Sequence, residues 1–209
     1  ASLDRGPIDD VLATLDWLRS RHRLDLGRVG LIGEGYGGYL ALRALQLHPE
    51  SFQSAVAIKA LTTPLDLWSS LETPVAAVNY NADSEPPKAA FKAKGARITS
   101  DPTRALASWL VSQQSGLGSI SVTRRPELLT QPVFLLHDPN NREAPFQAIA
   151  GLRATLRRLN RSPEWQEISS QFAAPDSRER SRSYRKIGEF FNLTLHSFGV
   201  KIGETKEAP

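Results

Sequence analysis

Apolar residues recur at Ile8, Val11, Leu12, Leu15 and Leu18, the spacing of one helical face, which predicts an amphipathic helix over residues 8–21. Asp25-Leu26-Gly27 interrupts that pattern, and the run from Val29 to Gly33 reads as a short buried strand. Leu40, Ala41, Ala44, Leu45 and Leu47 predict a helix from Tyr36 to Leu47, ended by His48-Pro49. Ala55-Val56-Ala57-Ile58 is a second apolar strand, and Pro132 to His137 a third. Phe146, Ile149, Leu152, Leu156 and Leu159 mark the helix that follows it. Residues 165–169 are a candidate fourth strand, and Tyr184, Ile187, Phe190, Phe191 and Leu195 mark a last helix. Between 61 and about 124 the pattern is less regular, with helical fragments near 64–72 and 103–113 and a polar, proline-bearing stretch at 79–102. That section is expected to form a cap-like insertion. The tail at 199–209 has little to hold it and is expected to be flexible.

Strand and helix alternate through most of the chain, and two strands are unbroken apolar runs. The expected class is therefore α/β, a mostly parallel sheet with helices on both faces. Only four strands can be counted, and a helix precedes the first. A wholly apolar strand from Val29 to Gly33 is a poor open edge, so a neighbour is expected beside it, either preceding sequence or a protein partner.

Composition narrows the function. With 209 residues, 40% of them hydrophobic, the chain can bury the core of one domain, expected over residues 1–198. The net charge of +4 is too small to name a polyanionic partner, and nucleic acid is not expected. The absence of cysteine excludes disulfides, thiol catalysis and thiolate metal sites. There is no apolar run of about 18 residues, so no membrane span is expected. The first residues lack the basic start and apolar run of a signal peptide. Methionine is missing throughout, position 1 included, and the simplest expectation is a piece of a longer product.

The most informative stretch is Gly33-Glu34-Gly35-Tyr36-Gly37-Gly38-Tyr39, set between a strand and a helix. This is the setting of a nucleophile elbow, G-x-S-x-G, in which flanking glycines keep Cβ atoms out of a tight turn. Gly33 and Gly37 are in place, and the nucleophile position is Gly35. Together with Asp10-Val11 to Trp17-Leu18, Asp25 to Val29, His48 to Ala57 and Gln131 to His137, the segment resembles the C-terminal half of the α/β-hydrolase domain of prolyl oligopeptidase-type serine peptidases and their acyl-hydrolase relatives. The resemblance covers residues 8–60 and 125–195 well and 61–124 loosely. It implies a three-layer hydrolase sheet that lacks its N-terminal strands in this chain.

The same resemblance implies a degenerate triad. Gly35 has no side chain to attack a carbonyl. The acid loop, H-G-x-x-D in the family, is matched by His137-Asp138-Pro139-Asn140-Asn141, which places the amide Asn141 at the acid position. Asp138 lies three positions early and is not given the role. The histidine should fall within 170–180, a region without one. The backbone N–H of Tyr36 would survive as an oxyanion donor. No catalytic residue, cofactor or metal is then expected, and a binding or structural subunit follows, with a peptide or acyl ligand in the old cleft. Two alternatives stay open. One is an active serine peptidase or esterase completed by another segment or chain. The other is nucleotide binding through the turn from Gly33 to Gly38, which also reads G-x-G-x-x-G. That fingerprint needs an acid about 20 residues on, where the chain has Ala57-Ile58-Lys59-Ala60, and Asp66 lies too far along.

The remaining polar features have plain readings. His22, His48 and His196 suit helix ends, and His137 a strand end. Arg178, Arg180, Arg182, Arg185 and Lys186 suit a solvated helix face. Trp17, Trp68, Trp109 and Trp165 suit core or interface positions.

Overall fold

Two apolar runs become the middle of a sheet. A computed structural model describes residues 5–21, 25, 27–64, 66, 120–141, 146–174 and 177–195. Within it α1 (Arg5–Arg21) leads to β1 (Gly30–Glu34), α2 (Tyr36–Leu47) and β2 (Ser54–Ile58). After short 3-10 turns at Val122–Arg124 and Pro126–Leu128 come β3 (Val133–His137), α3 (Phe146–Arg158), β4 (Glu164–Glu167) and α4 (Arg178–Thr194). The strands are all parallel, in the order β1-β2-β3-β4. Every residue of β2 and β3 is buried, as expected of central strands covered on both faces.

Two cores follow from the pleat. On one face Ala55, Ala57, Val133 and Leu135 meet Tyr39, Leu42 and Leu45 of α2 and Ile149, Leu152 and Leu156 of α3. On the other, Val56, Ile58, Phe134 and Leu136 meet Ile187, Phe190 and Phe191 of α4. The register pairs Val56 with Phe134 and Ile58 with Leu136, so the larger strand residues share the α4 face. Right-handed crossovers between neighbouring parallel strands put α2 and α3 on one side. The last helix is left to cover the other.

Local chemistry sets the ends. The His48 N–H closes α2 on the Ala44 carbonyl at 2.8 Å. Asn160, in the left-handed region at φ 58, ends α3, and the Arg161 N–H returns to the Leu156 carbonyl at 2.9 Å. Ser177 caps α4 by accepting from the Arg180 N–H at 3.2 Å. β4 is shorter than the predicted 165–169, because the Ser169 hydroxyl accepts from the Gln171 N–H and opens a 3-10 turn.

Trp17, expected at a core or interface position, is exposed on α1, where the Arg21 guanidinium lies 5.6 Å from its ring, which excludes the core alone. Most of the expected insertion at 61–124 lies outside the described residues, as do the tail at 199–209, His22, His196, Trp68 and Trp109.

Candidate functional site at the end of β1

Gly35 stands between β1 and α2 with φ 57 and ψ −119, a conformation that L side chains rarely adopt. Its N–H donates to the Ile58 carbonyl at 2.9 Å, and its carbonyl accepts from Tyr39 at 3.1 Å and Leu61 at 3.3 Å. The turn is thus clamped to β2 and to the loop after it. A Cβ built on Gly33 would overlap the carbonyl of Gly37, so position 33 admits only glycine. A Cβ on Gly38 would lie 2.8 Å from that of Ala60. Gly37, by contrast, has open space, so its expected part in clearing the turn belongs to Gly38 instead. A Cβ on Gly35 would also meet nothing within 4 Å. The turn keeps room for a side chain it does not have.

Tyr36 opens α2, so its N–H points out of the helix start at the positive end of the helix dipole. Its ring stacks on that of buried Tyr39 at 5.7 Å, and the Tyr39 hydroxyl donates to the Ile120 carbonyl at 2.9 Å. The helix start is therefore fixed from both the turn and the core.

At the end of β3, His137 is fully buried, with its ring 5.9 Å from Phe146. Asp138 is nearly buried as well, and its Oδ1 accepts from the Asn140 N–H at 2.9 Å. The Asn141 N–H donates to the Asp138 carbonyl at 3.0 Å, so Asn141 closes a tight turn at the strand end. Asp138 Oδ1 is engaged within that turn. Beyond β4, where a histidine would be sought, the 3-10 turn Ser170–Ala173 buries Phe172 in the α4-side core. The Glu179 carboxylate accepts from the Ser169 N–H at 2.9 Å and from its hydroxyl at 2.6 Å, which fixes this loop.

Lys59 is the residue that sequence reasoning passed over. It follows the last residue of β2 with φ 45, one of two described non-glycine residues with positive φ. Its Nζ lies 3.7 Å from Glu34 Oε1 and 5.6 Å from the centre of the Phe172 ring, with the side chain mostly covered. Lys59 thereby links the elbow strand to the loop that follows β4. The signal was a cation set directly after a fully buried strand. Lys59 also stands where a dinucleotide fingerprint would place its acid. Asp66 lies further along, helical and buried, with its Oδ2 accepting from the Thr62 and Thr63 N–H groups at 2.7 and 3.0 Å and from the Thr62 hydroxyl at 2.9 Å. Burial pushes its carboxyl above the ordinary value of 3.8, against the pull of those hydrogen bonds.

Among the described residues no three His, Asp or Glu side chains converge as metal ligands. No described helix is long and apolar enough to cross a membrane. Arg178, Arg182, Arg185 and Lys186 are exposed along α4, as a solvated face requires. A cavity of about 350 Å³ between α1 and the α2–β2 connection is lined by Leu12, Leu15, Arg19, His48 and Glu50, none of which belongs to the elbow.

A parallel sheet with helices on both faces and a strained glycine turn at the end of β1 fits the α/β-hydrolase class. The sequence profile of the prolyl oligopeptidase family matches residues 2–192, and the chain belongs to that family. It is 42% identical over 67 residues to human dipeptidyl peptidase 8, a stretch that covers 32% of this chain and 7% of that protein. The fold is similar to the Pyrococcus horikoshii acylaminoacyl peptidase, with a TM-score of 0.65, 16% identity, and 92% of this chain and 28% of that chain covered. It is also similar to the Pyrococcus furiosus esterase Pf2001, with a TM-score of 0.60, 15% identity, and 93% of this chain and 64% of that chain covered. The chain thus spans less than two thirds of the length of these relatives.

Proposed function

We propose that this chain is a non-hydrolytic member of the prolyl oligopeptidase family, serving as a binding or structural subunit. Gly35 carries the reading. It occupies the elbow, in an elbow-like backbone conformation and with room for a side chain, and it has no atom that can attack a carbonyl. Two further positions support it. Asn141 stands at the acid position, and an amide cannot stabilise an imidazolium. Phe172, with Lys59 against its ring, fills the loop where a base would be held. Among the described residues a helix start and the Lys59 ammonium, paired with Glu34, lie beside the sheet end, an arrangement that suits a peptide or acyl ligand bearing a carbonyl or carboxylate.

The test is intact mass after treatment with a fluorophosphonate serine-hydrolase probe, with a melt on the same sample. No adduct on cooperatively folded protein is the expected result. A single stoichiometric adduct would establish an activated serine elsewhere and refute the proposal. Gly35→Ser is expected to add no esterase activity, because the acid and base positions are also changed. Titration with NAD and ATP in the same melt addresses the nucleotide alternative, with no shift expected.

A further inference from the structure

The first half of α4 concentrates positive charge on one face. Arg178, Arg182, Arg185 and Lys186 follow one another at helical spacing over about 12 Å, and all four are exposed. Among the described residues no carboxylate lies within ion-pair distance of any of them. The helix has two acids of its own. Glu179 accepts from the Ser169 N–H and hydroxyl, and Glu189 stands one turn beyond Arg185. Like charges three and four residues apart oppose a helix, and cations near its start oppose the helix dipole. The stripe therefore destabilises the element that carries it. An anion set among these cations would reverse both effects.

Three serines lie in the same stretch, and the fold leaves one of them available. Ser177 is the cap of α4, its hydroxyl accepting from the Arg180 N–H at 3.2 Å. Ser183 is fully buried, and its hydroxyl accepts from Gln166 Nε2 at 2.8 Å. Ser181 is exposed, and its hydroxyl donates to the Ser177 carbonyl at 3.3 Å, long for an O–H donor. Arg178 stands three residues before Ser181 and Arg185 four after it, so both flank it on the helix surface, with Arg182 adjacent.

We propose that Ser181 is a phosphorylation site for an arginine-directed serine kinase. Arg178 and Arg180 stand three residues and one residue before it, a charge pattern of the kind such kinases read. In the transfer the Ser181 oxygen attacks the γ-phosphorus of ATP and the bond to the β–γ bridging oxygen breaks. ADP leaves, and the hydroxyl proton passes to the kinase's aspartate. The product brings a charge of about −1.5 to −2 and three acceptor oxygens within reach of Arg178, Arg182 and Arg185. Ser183 also has an arginine three residues before it, Arg180, but a phosphate there would be a dianion buried beside Gln166. The folded chain thus selects Ser181. The consequence reaches the sheet, because α4 covers Val56, Ile58, Phe134 and Leu136 and its Glu179 holds the loop at Ser169. A phosphate on Ser181 fastens both. This inference holds whether or not the chain hydrolyses anything.

The experiment treats the folded chain with ATP and the catalytic subunit of the cyclic-AMP-dependent protein kinase. Intact mass should show one added phosphate, and fragmentation should place it on Ser181. Ser181→Ala should stay unmodified, whereas Ser183→Ala should be modified as the parent is. The phosphorylated chain should melt about 2–4 °C higher than the parent. That rise should shrink in Arg185→Gln, which leaves the arginines before Ser181 in place. It should shrink too in about 1 M salt, where charges are screened within about 3 Å. No phosphate on the folded chain, or phosphate on Ser183, would overturn the proposal. So would a phosphorylated chain that melts no higher than its parent. Phosphatidylserine vesicles that raise the melt of the unmodified chain, with phosphorylation leaving it unmoved, would assign the stripe to a membrane surface instead.

Discussion

Replacing Gly35 by alanine isolates the strain of the elbow from its chemistry. The added Cβ meets no atom within 4 Å, so no neighbour has to move. The cost lies in the backbone, which holds φ 57 and ψ −119, and a non-glycine residue in such a region costs about 1–3 kcal/mol. Alanine also restricts the unfolded chain, which returns about 0.4–1 kcal/mol. The net expectation is a loss of about 1–2 kcal/mol. Gly37→Ala, two residues on, provides the control, because that position is equally open but lies within α2. There alanine should stabilise by about 0.5–1 kcal/mol. Urea unfolding followed by circular dichroism would measure both, and Tm should move about 2–4 °C per kcal/mol for a chain of this size. The reasoning fails if Gly35→Ala is as stable as the parent, or if both variants shift in the same direction. Serine at position 35 would bear the same strain as alanine. Glycine there is therefore the more stable choice once the hydroxyl has no function.

Three further outcomes follow from the packing and the buried carboxylate. Leu135→Ala, at a fully buried site in the middle of β3, should cost about 2–5 kcal/mol in the same unfolding assay. Gly30→Val should force Phe191 off β1 and cost about 1–3 kcal/mol, whereas Gly30→Val combined with Phe191→Ala should recover part of that loss. Asp66 has a raised folded-state pKa, so its contribution to stability is complete below its unfolded value of 3.8 and is lost as pH rises through the folded pKa. Asp66→Asn should therefore gain stability relative to the parent as pH rises above 3.8, and urea titrations at increasing pH would show a flat difference if the assignment is wrong.

The parallel sheet was legible because β2 and β3 are uninterrupted apolar runs, a signature of strands covered on both faces. The elbow was legible because glycines crowded between a strand and a helix mark a turn too tight for Cβ atoms. Which glycine performs which task was not. Sequence spacing assigned the clearing of the turn to Gly33 and Gly37, yet Gly38 is the one pressed against Ala60. That contact joins the start of a helix to the end of a different strand, and one-dimensional spacing holds no trace of it. Lys59 escaped for the same reason, since its partners Glu34 and Phe172 lie 25 and 113 positions away. Of the two places open to Trp17, core or interface, exposure excludes only the core, since α1 buries fully only Ile8.

The elbow's geometry and its chemistry are held by separate residues. Position 35 is fixed by the close approach of Gly33 to the Gly37 backbone, the packing of Gly38 on Ala60 and the hydrogen bonds of the Gly35 backbone to Ile58, Tyr39 and Leu61. None of these involves a side chain at 35. Removing a hydroxyl there leaves every one of them in place, so the turn persists without its reagent and also with less strain. Asn141 closes the turn after β3 and Phe172 joins the core beyond β4, each held by contacts of its own. A retained elbow is therefore a statement about backbone packing and carries no weight for hydrolysis. The discriminating position is the loop after β4. Phe172→His would place an imidazole among Val56, Ile58 and Phe134, with the Lys59 ammonium nearby. Burial and that neighbouring cation both favour the neutral ring, so the variant should lose stability most sharply below about pH 6. An imidazole there that titrates normally by NMR would show that the loop opens to solvent, and the account of Phe172 as a sealed core residue would fail.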